Sequence, residues 1–120
     1  MKQIEFTIKG EIPSMKNTLR VGRGGHVYHA DNAVKEYKNA FWLQLPSRFR
    51  LMVLTGSVKV SIEVYQKDHR KDAHNAQDLV FDCLQHCGLI GNDRQIEAWE
   101  GRKFIDKNNP RVVVKVEAMQ

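Results

Sequence analysis

Between Arg70 and Asp93 the chain reads RKDAHNAQDLVFDCLQHCGLIGND, and side chains of metal-ligating type are concentrated inside it, among them Asp72, His74, Asp78, Asp82 and Asp93. Carboxylates are hard oxygen donors, and a cation such as Mg²⁺ takes only a few of them from protein when they converge from separate elements. On a helical wheel of about 100° per residue, His74, Asp78 and Asp82 form one row at i, i+4 and i+8, with Gln85 beside it. Ala76, Leu79, Val80, Cys83, Leu84 and Cys87 fill the opposite, apolar face. A second acidic point, GND at 91–93, follows the helix through a tight turn.

Two of these acids have a plainer explanation. Asp72 suits a helix N-cap, where it would satisfy free N–H groups, and Asp82 reads as a residue of a solvated helical face. Cys83 and Cys87 lie one helical turn apart around His86, but both fall on the apolar face. They read as small buried side chains of a reducing compartment rather than as zinc ligands or a disulfide.

Four segments alternate or run apolar as strands do: IEFTIKG near the start, GSVKVSIEVYQ in the middle, and RQIEAWEGRKF and RVVVKVEAM near the end. The turn signal in IDKNNPR predicts that the last two form an antiparallel hairpin. HADNAVKEYKNAFWLQL predicts a helix capped by Asp31 or Asn32, with Val34, Tyr37, Phe41, Trp42 and Leu45 on its apolar stripe and Pro46 at its end. The second helix is expected from close to His74 to Gly88, a residue suited to the position past a C-cap. The expectation is therefore an α+β fold in a single domain over 1–120. It is a roughly four-stranded mixed sheet carrying two main helices in the order β-α-β-α-β-β.

Residues 1–50 hold nine Lys or Arg against four acids, whereas 51–120 hold ten of each, so the whole excess of +5 lies in the first half. That asymmetry fits a polyanionic partner such as a nucleic-acid backbone, although a solvated surface would account for it equally. The connection over 10–30 is long for a compact domain. Its Lys16, Arg20, Arg23, His26 and His29 could follow phosphates while Tyr28 stacks on a base. GRGG lacks the ending of a phosphate-binding P-loop. No apolar run is long enough to span a membrane, and the alternating start reads as a first strand of a cytosolic protein rather than a signal peptide.

The stretch RKDAHNAQDLVFDCLQHCGLIGNDRQI resembles the RusA family of Holliday junction resolvases, whose motif is approximately R-x-D-x-D-N-x-x-K-x-x-x-D-x-L, a Gly-containing turn, then D-D-x-Q-V. Upstream, IPSMKNTLRVGRGGHVYHADNAVKEYKNAF resembles that family's Pro-Pro-Ser-x-N loop, basic stretch and following helix. Asp72 and Asn75 match the motif's first aspartate and its asparagine. Asp82 and Leu84 match D-x-L, and Asp93 and Gln95 match D-x-Q. His74 stands in place of the second metal-binding aspartate, Asp78 in place of a catalytic lysine, and Asn92 in place of the first acid of the D-D pair.

The resemblance implies a homodimeric, Mg²⁺-dependent endodeoxyribonuclease that resolves four-way DNA junctions by paired nicks in recombination and repair. It implies a cytoplasmic protein of bacterial or phage origin. Asp72, His74 and Asp93 would be the metal ligands, with Mn²⁺ as an alternative ion because imidazole is softer than carboxylate. Asp78 would restore lost negative charge, and Lys71 or Arg70 would supply the positive group. Lys16, Asn17, Arg20, Arg23, His26, Arg70 and Lys71 would contact DNA. Phe81, Leu89, Ile90 and Trp99 are candidates for either core or dimer contact. The alternative is a catalytically impaired relative that binds branched DNA.

Overall fold

In a computed structural model the described residues are 3–13, 19–21, 27–29, 33–50, 52–68 and 76–119; for 19–21 and 27–29 only the backbone is described. The strands are β1 (Gln3–Lys9), β2 (Leu19–Val21), β3 (Val27–His29), β4 (Val58–Gln66), β5 (Ile96–Ile105) and β6 (Arg111–Ala118). The helices are α1 (Ala33–Gln44), the four-residue α2 (Ser47–Arg50) and α3 (Ala76–His86), with a 3-10 turn at Asp93–Gln95.

Alternation decides which face of the main sheet is covered. Ile4, Phe6 and Ile8 of β1, Val58, Val60, Ile62 and Val64 of β4, and Val112, Val114 and Val116 of β6 all point to one buried face. Tyr37 and Phe41 of α1 and Leu79, Val80, Cys83 and Leu84 of α3 belong to the same core. Phe6 meets Phe41 edge-on, with ring centroids 5.5 Å apart at 88°, a geometry that suits the aromatic quadrupoles.

The strand order is β1-β6-β4-β5, which corrects the expected hairpin of the last two strands. β6 pairs antiparallel with both β1 and β4, while β5 pairs parallel with β4. After β5 the chain crosses the end of β4, where the Asp106 N–H donates to the Gln66 carbonyl at 2.8 Å. The reason lies in the side chains: β6 carries three buried valines and fits between two neighbours, whereas β5 has no buried residue and takes the edge.

The connection over 10–30 also differs from expectation, because β2 and β3 within it pair antiparallel, with Arg20 opposite Tyr28. α1 runs to Gln44, as its sequence pattern predicts, but Trp42 lies outside the apolar stripe and is 39% exposed. Arg50 of α2 stacks over the Trp42 ring at 4.7 Å and donates to the Trp42 and Leu43 carbonyls at 2.6 and 3.1 Å. It thereby satisfies two carbonyls that the end of α1 leaves free.

α3 ends at His86, and Gly88, the predicted residue past the C-cap, has a left-handed φ of +79°. The Leu89 N–H returns to the Leu84 carbonyl at 3.1 Å and the Gly88 N–H to the Gln85 carbonyl at 3.0 Å, which is the Schellman pattern. Of the four core-or-dimer candidates, Leu89 and Ile90 are fully buried and belong to the core. Phe81 is half-buried, and it meets the half-exposed Trp99 edge-on at 6.0 Å.

Candidate functional site

The site builds outward from the turn that follows α3. Leu89 and Ile90 anchor it in the core, and the Leu54 N–H donates to the Leu89 carbonyl at 2.8 Å. Gly91, Asn92 and Asp93 then emerge into solvent. The Asn92 side chain caps the short 3-10 turn by accepting the Arg94 N–H at 2.8 Å. Gln95 closes the loop from inside, accepting the N–H groups of Gly91 and Asn92 at 2.8 and 3.1 Å. Its amide donates to the carbonyls of Leu54 and Gly56, each at 2.9 Å. One side chain therefore fixes the turn and ties it to the segment before β4.

Asp93 sits at the tip of this structure. Its main-chain N–H donates to Gln85 Oε1 in the last turn of α3 at 2.9 Å. Among the described residues its exposed carboxylate accepts no hydrogen bond, so it remains free to serve as a hard oxygen ligand. An aspartate at position 92 would cap the turn as asparagine does, so the departure at Asn92 costs the turn nothing.

The remaining acids distribute along α3. Asp78 lies exposed in its first turn and Asp82 is half-buried further along. Asp78 lies in the first turn of α3, seven residues or roughly 10 Å along the axis before Gln85, to which the Asp93 main chain is tied. Among the described residues no three acidic, imidazole or thiol groups converge on one point. Asp72, His74, Lys71, Arg70, Lys16, Asn17, Arg23 and His26 lie outside the described residues, as does the side chain of Arg20 on β2.

The two thiols take no part in this site. Burial pushes Cys83 up to about 12 and Cys87 up to about 11, so both remain protonated and poorly nucleophilic at neutral pH. The contribution that sequence reasoning missed is positional. Gln85 looked like a residue beside the acidic row and Gln95 only a motif match, yet these two hold Asp93 in place.

The architecture and the acidic turn define an α+β protein with a carboxylate presented at the junction of α3 and β5. Residues 10–117 match the family model described as endodeoxyribonuclease RusA, and the chain belongs to that family. It is also 25% identical over 122 residues to the crossover junction endodeoxyribonuclease RusA of Aquifex aeolicus (strain VF5), covering 100% of this chain and 95% of the relative.

Proposed function

We propose that the chain is a metal-dependent, structure-selective endodeoxyribonuclease that acts as a homodimer on four-way DNA junctions, nicking two opposed strands during recombination and repair. The observation that carries this reading is the family match over 10–117, which includes an Asp93 held exposed by Gln85 and Gln95. The Aquifex relative is named as a crossover junction endodeoxyribonuclease, which supports the same substrate class. A two-fold junction suits a two-fold dimer, because each subunit then addresses one strand.

Asp72, His74 and Asp93 are the proposed ligands of Mg²⁺, with Mn²⁺ as the alternative. Their donor set of two carboxylates and one imidazole fits a divalent cation of this kind. When bound, the ion supplies an activated water and neutralises charge on the scissile phosphate. The chain's own groups do the rest. Lys71 or Arg70 stabilises negative charge on the phosphate, Asp78 supports the charge balance around His74, and Lys16, Asn17, Arg20, Arg23 and His26 hold neighbouring phosphates. The proposed setting is the cytoplasm, for a bacterial or phage-encoded chain.

A second reading rests on one observation. Asp78 is exposed in the first turn of α3, where the family motif carries a lysine, so the charge at that point is reversed. Such a protein would bind branched DNA without cutting it. A labelled four-way junction incubated with the protein and Mg²⁺ or Mn²⁺ separates the two: paired nicks support the nuclease, and salt-sensitive binding without cleavage supports the binding relative.

A further inference from the structure

We infer that β5 is the surface through which two copies of this chain associate, pairing antiparallel with its own copy across a two-fold axis at Gly101. This deepens the homodimer of the proposed function and rests on that reading.

β5 is ten residues long, lies at the end of the sheet order, and pairs on one side only, with β4. Its outer row of N–H and C=O groups meets no other strand among the described residues. Edge strands are often kept from pairing by charged side chains, and β5 carries Glu97, Glu100, Arg102 and Lys103. Their arrangement, however, is segregated: both acids precede Gly101 and both bases follow it. Exposed apolar groups accompany them, with Trp99 49%, Phe104 38% and Ile105 44% exposed. A strand designed only to repel would not carry these three.

An acid-then-base strand repels a parallel copy and complements an antiparallel one. With Gly101 on the axis, Glu100 stands opposite the partner's Arg102, and symmetry repeats the pair. Residues directly opposed in an antiparallel ladder share a face and touch. Glu100 and Arg102 lie on the uncovered face of the sheet, beside Ser61 and Glu63 of β4. On the helix-bearing face Trp99 stands opposite the partner's Lys103, a cation set against an aromatic ring. The Glu97 and Glu100 carboxylates accept the Ser57 and Ser61 hydroxyls at 2.6 and 3.3 Å, but none of the four charged residues of β5 has an ion pair among the described residues, so no opposite charge within the described residues competes with a partner's. Gly101 itself offers no side chain at the axis, and the Trp99 ring lies 3.4 Å from where its Cβ would be. The result would be one eight-stranded sheet.

Sedimentation velocity on the full chain, with E100R, R102E and the double variant E100R/R102E, tests this. Each single reversal sets like charges opposite one another twice, so the dimer dissociation constant should rise about tenfold or more, and the double variant should return close to wild type. A wild-type dimer whose affinity neither single reversal changes overturns the β5 interface and leaves the homodimer standing. Single variants that weaken the dimer without rescue in the double overturn the register at Gly101. A wild-type chain that stays monomeric at every concentration overturns the homodimer and the interface together.

Discussion

The main-chain N–H of Asp93 donates to the side chain of Gln85 at 2.9 Å, so the last turn of α3 sets the position of the acid that follows it. The bond uses the backbone of Asp93 and leaves its carboxylate available. An exposed carboxylate that accepts no hydrogen bond among the described residues contributes little to folding. Asp93→Asn should therefore change unfolding free energy by no more than about 0.5 kcal/mol, while removing junction cleavage. Chemical denaturation and a cleavage assay on one preparation check both halves.

Gln95 should behave in the opposite way. Its side chain makes four hydrogen bonds, two accepted and two donated. Gln95→Ala leaves several backbone groups unpaired and should cost about 1–3 kcal/mol of stability. Cleavage should fall as well, because the turn that presents Asp93 loosens. Gln85→Ala removes a single bond, so activity should drop with a stability loss of only about 0.5–1.5 kcal/mol.

The end of α3 offers a backbone test. Gly88 has φ of +79° with nothing within 4 Å of where its Cβ would be, so the cost of Gly88→Ala is conformational. About 1 kcal/mol of destabilisation is expected, readable as a lowered denaturation midpoint with unchanged denaturant dependence.

The buried thiols give a pH dependence. Burial is the first cause of the rise of Cys83 to about 12 and of Cys87 to about 11. In the unfolded chain both would ionise near the ordinary thiol value of about 8.5, so above that pH the unfolded state binds fewer protons than the folded one. Stability should thus be unaffected by the thiols below pH 8 and should decline as pH rises from about 9 toward 12. Equilibrium unfolding at stepped pH, compared with Cys83→Ala, would measure it. Thiol reagents should label neither cysteine in the folded protein at neutral pH.

Much of the fold was legible where side-chain period and burial agree. Ile4, Phe6 and Ile8 announced β1, Val58 to Val64 announced β4, and Gly88 marked the end of α3. The pairing of the last two strands was not legible, because a turn signal such as Asn-Asn-Pro reports a change of direction and not which strand lies alongside. The three valines of β6 against the exposed residues of β5 hold the missing information, and its meaning depends on the whole sheet. β2 and β3 escaped notice because three-residue strands are too short for a period. At the site, Asp93 was visible as an acid after a turn and as a motif match. The roles of Gln85 and Gln95 depend on contacts between α3, the turn and the segment before β4, which no local spacing records.

The most direct test is cleavage of a four-way junction labelled on each strand in turn, with Mg²⁺ or Mn²⁺, by the wild-type chain and by Asp72→Asn and Asp93→Asn. The account predicts symmetric nicks in two opposed strands by the wild type and none by either variant, while all three bind the junction with an affinity that falls steeply with salt. Binding by the wild type without a cut under either metal would contradict it, as would undiminished cutting by the variants.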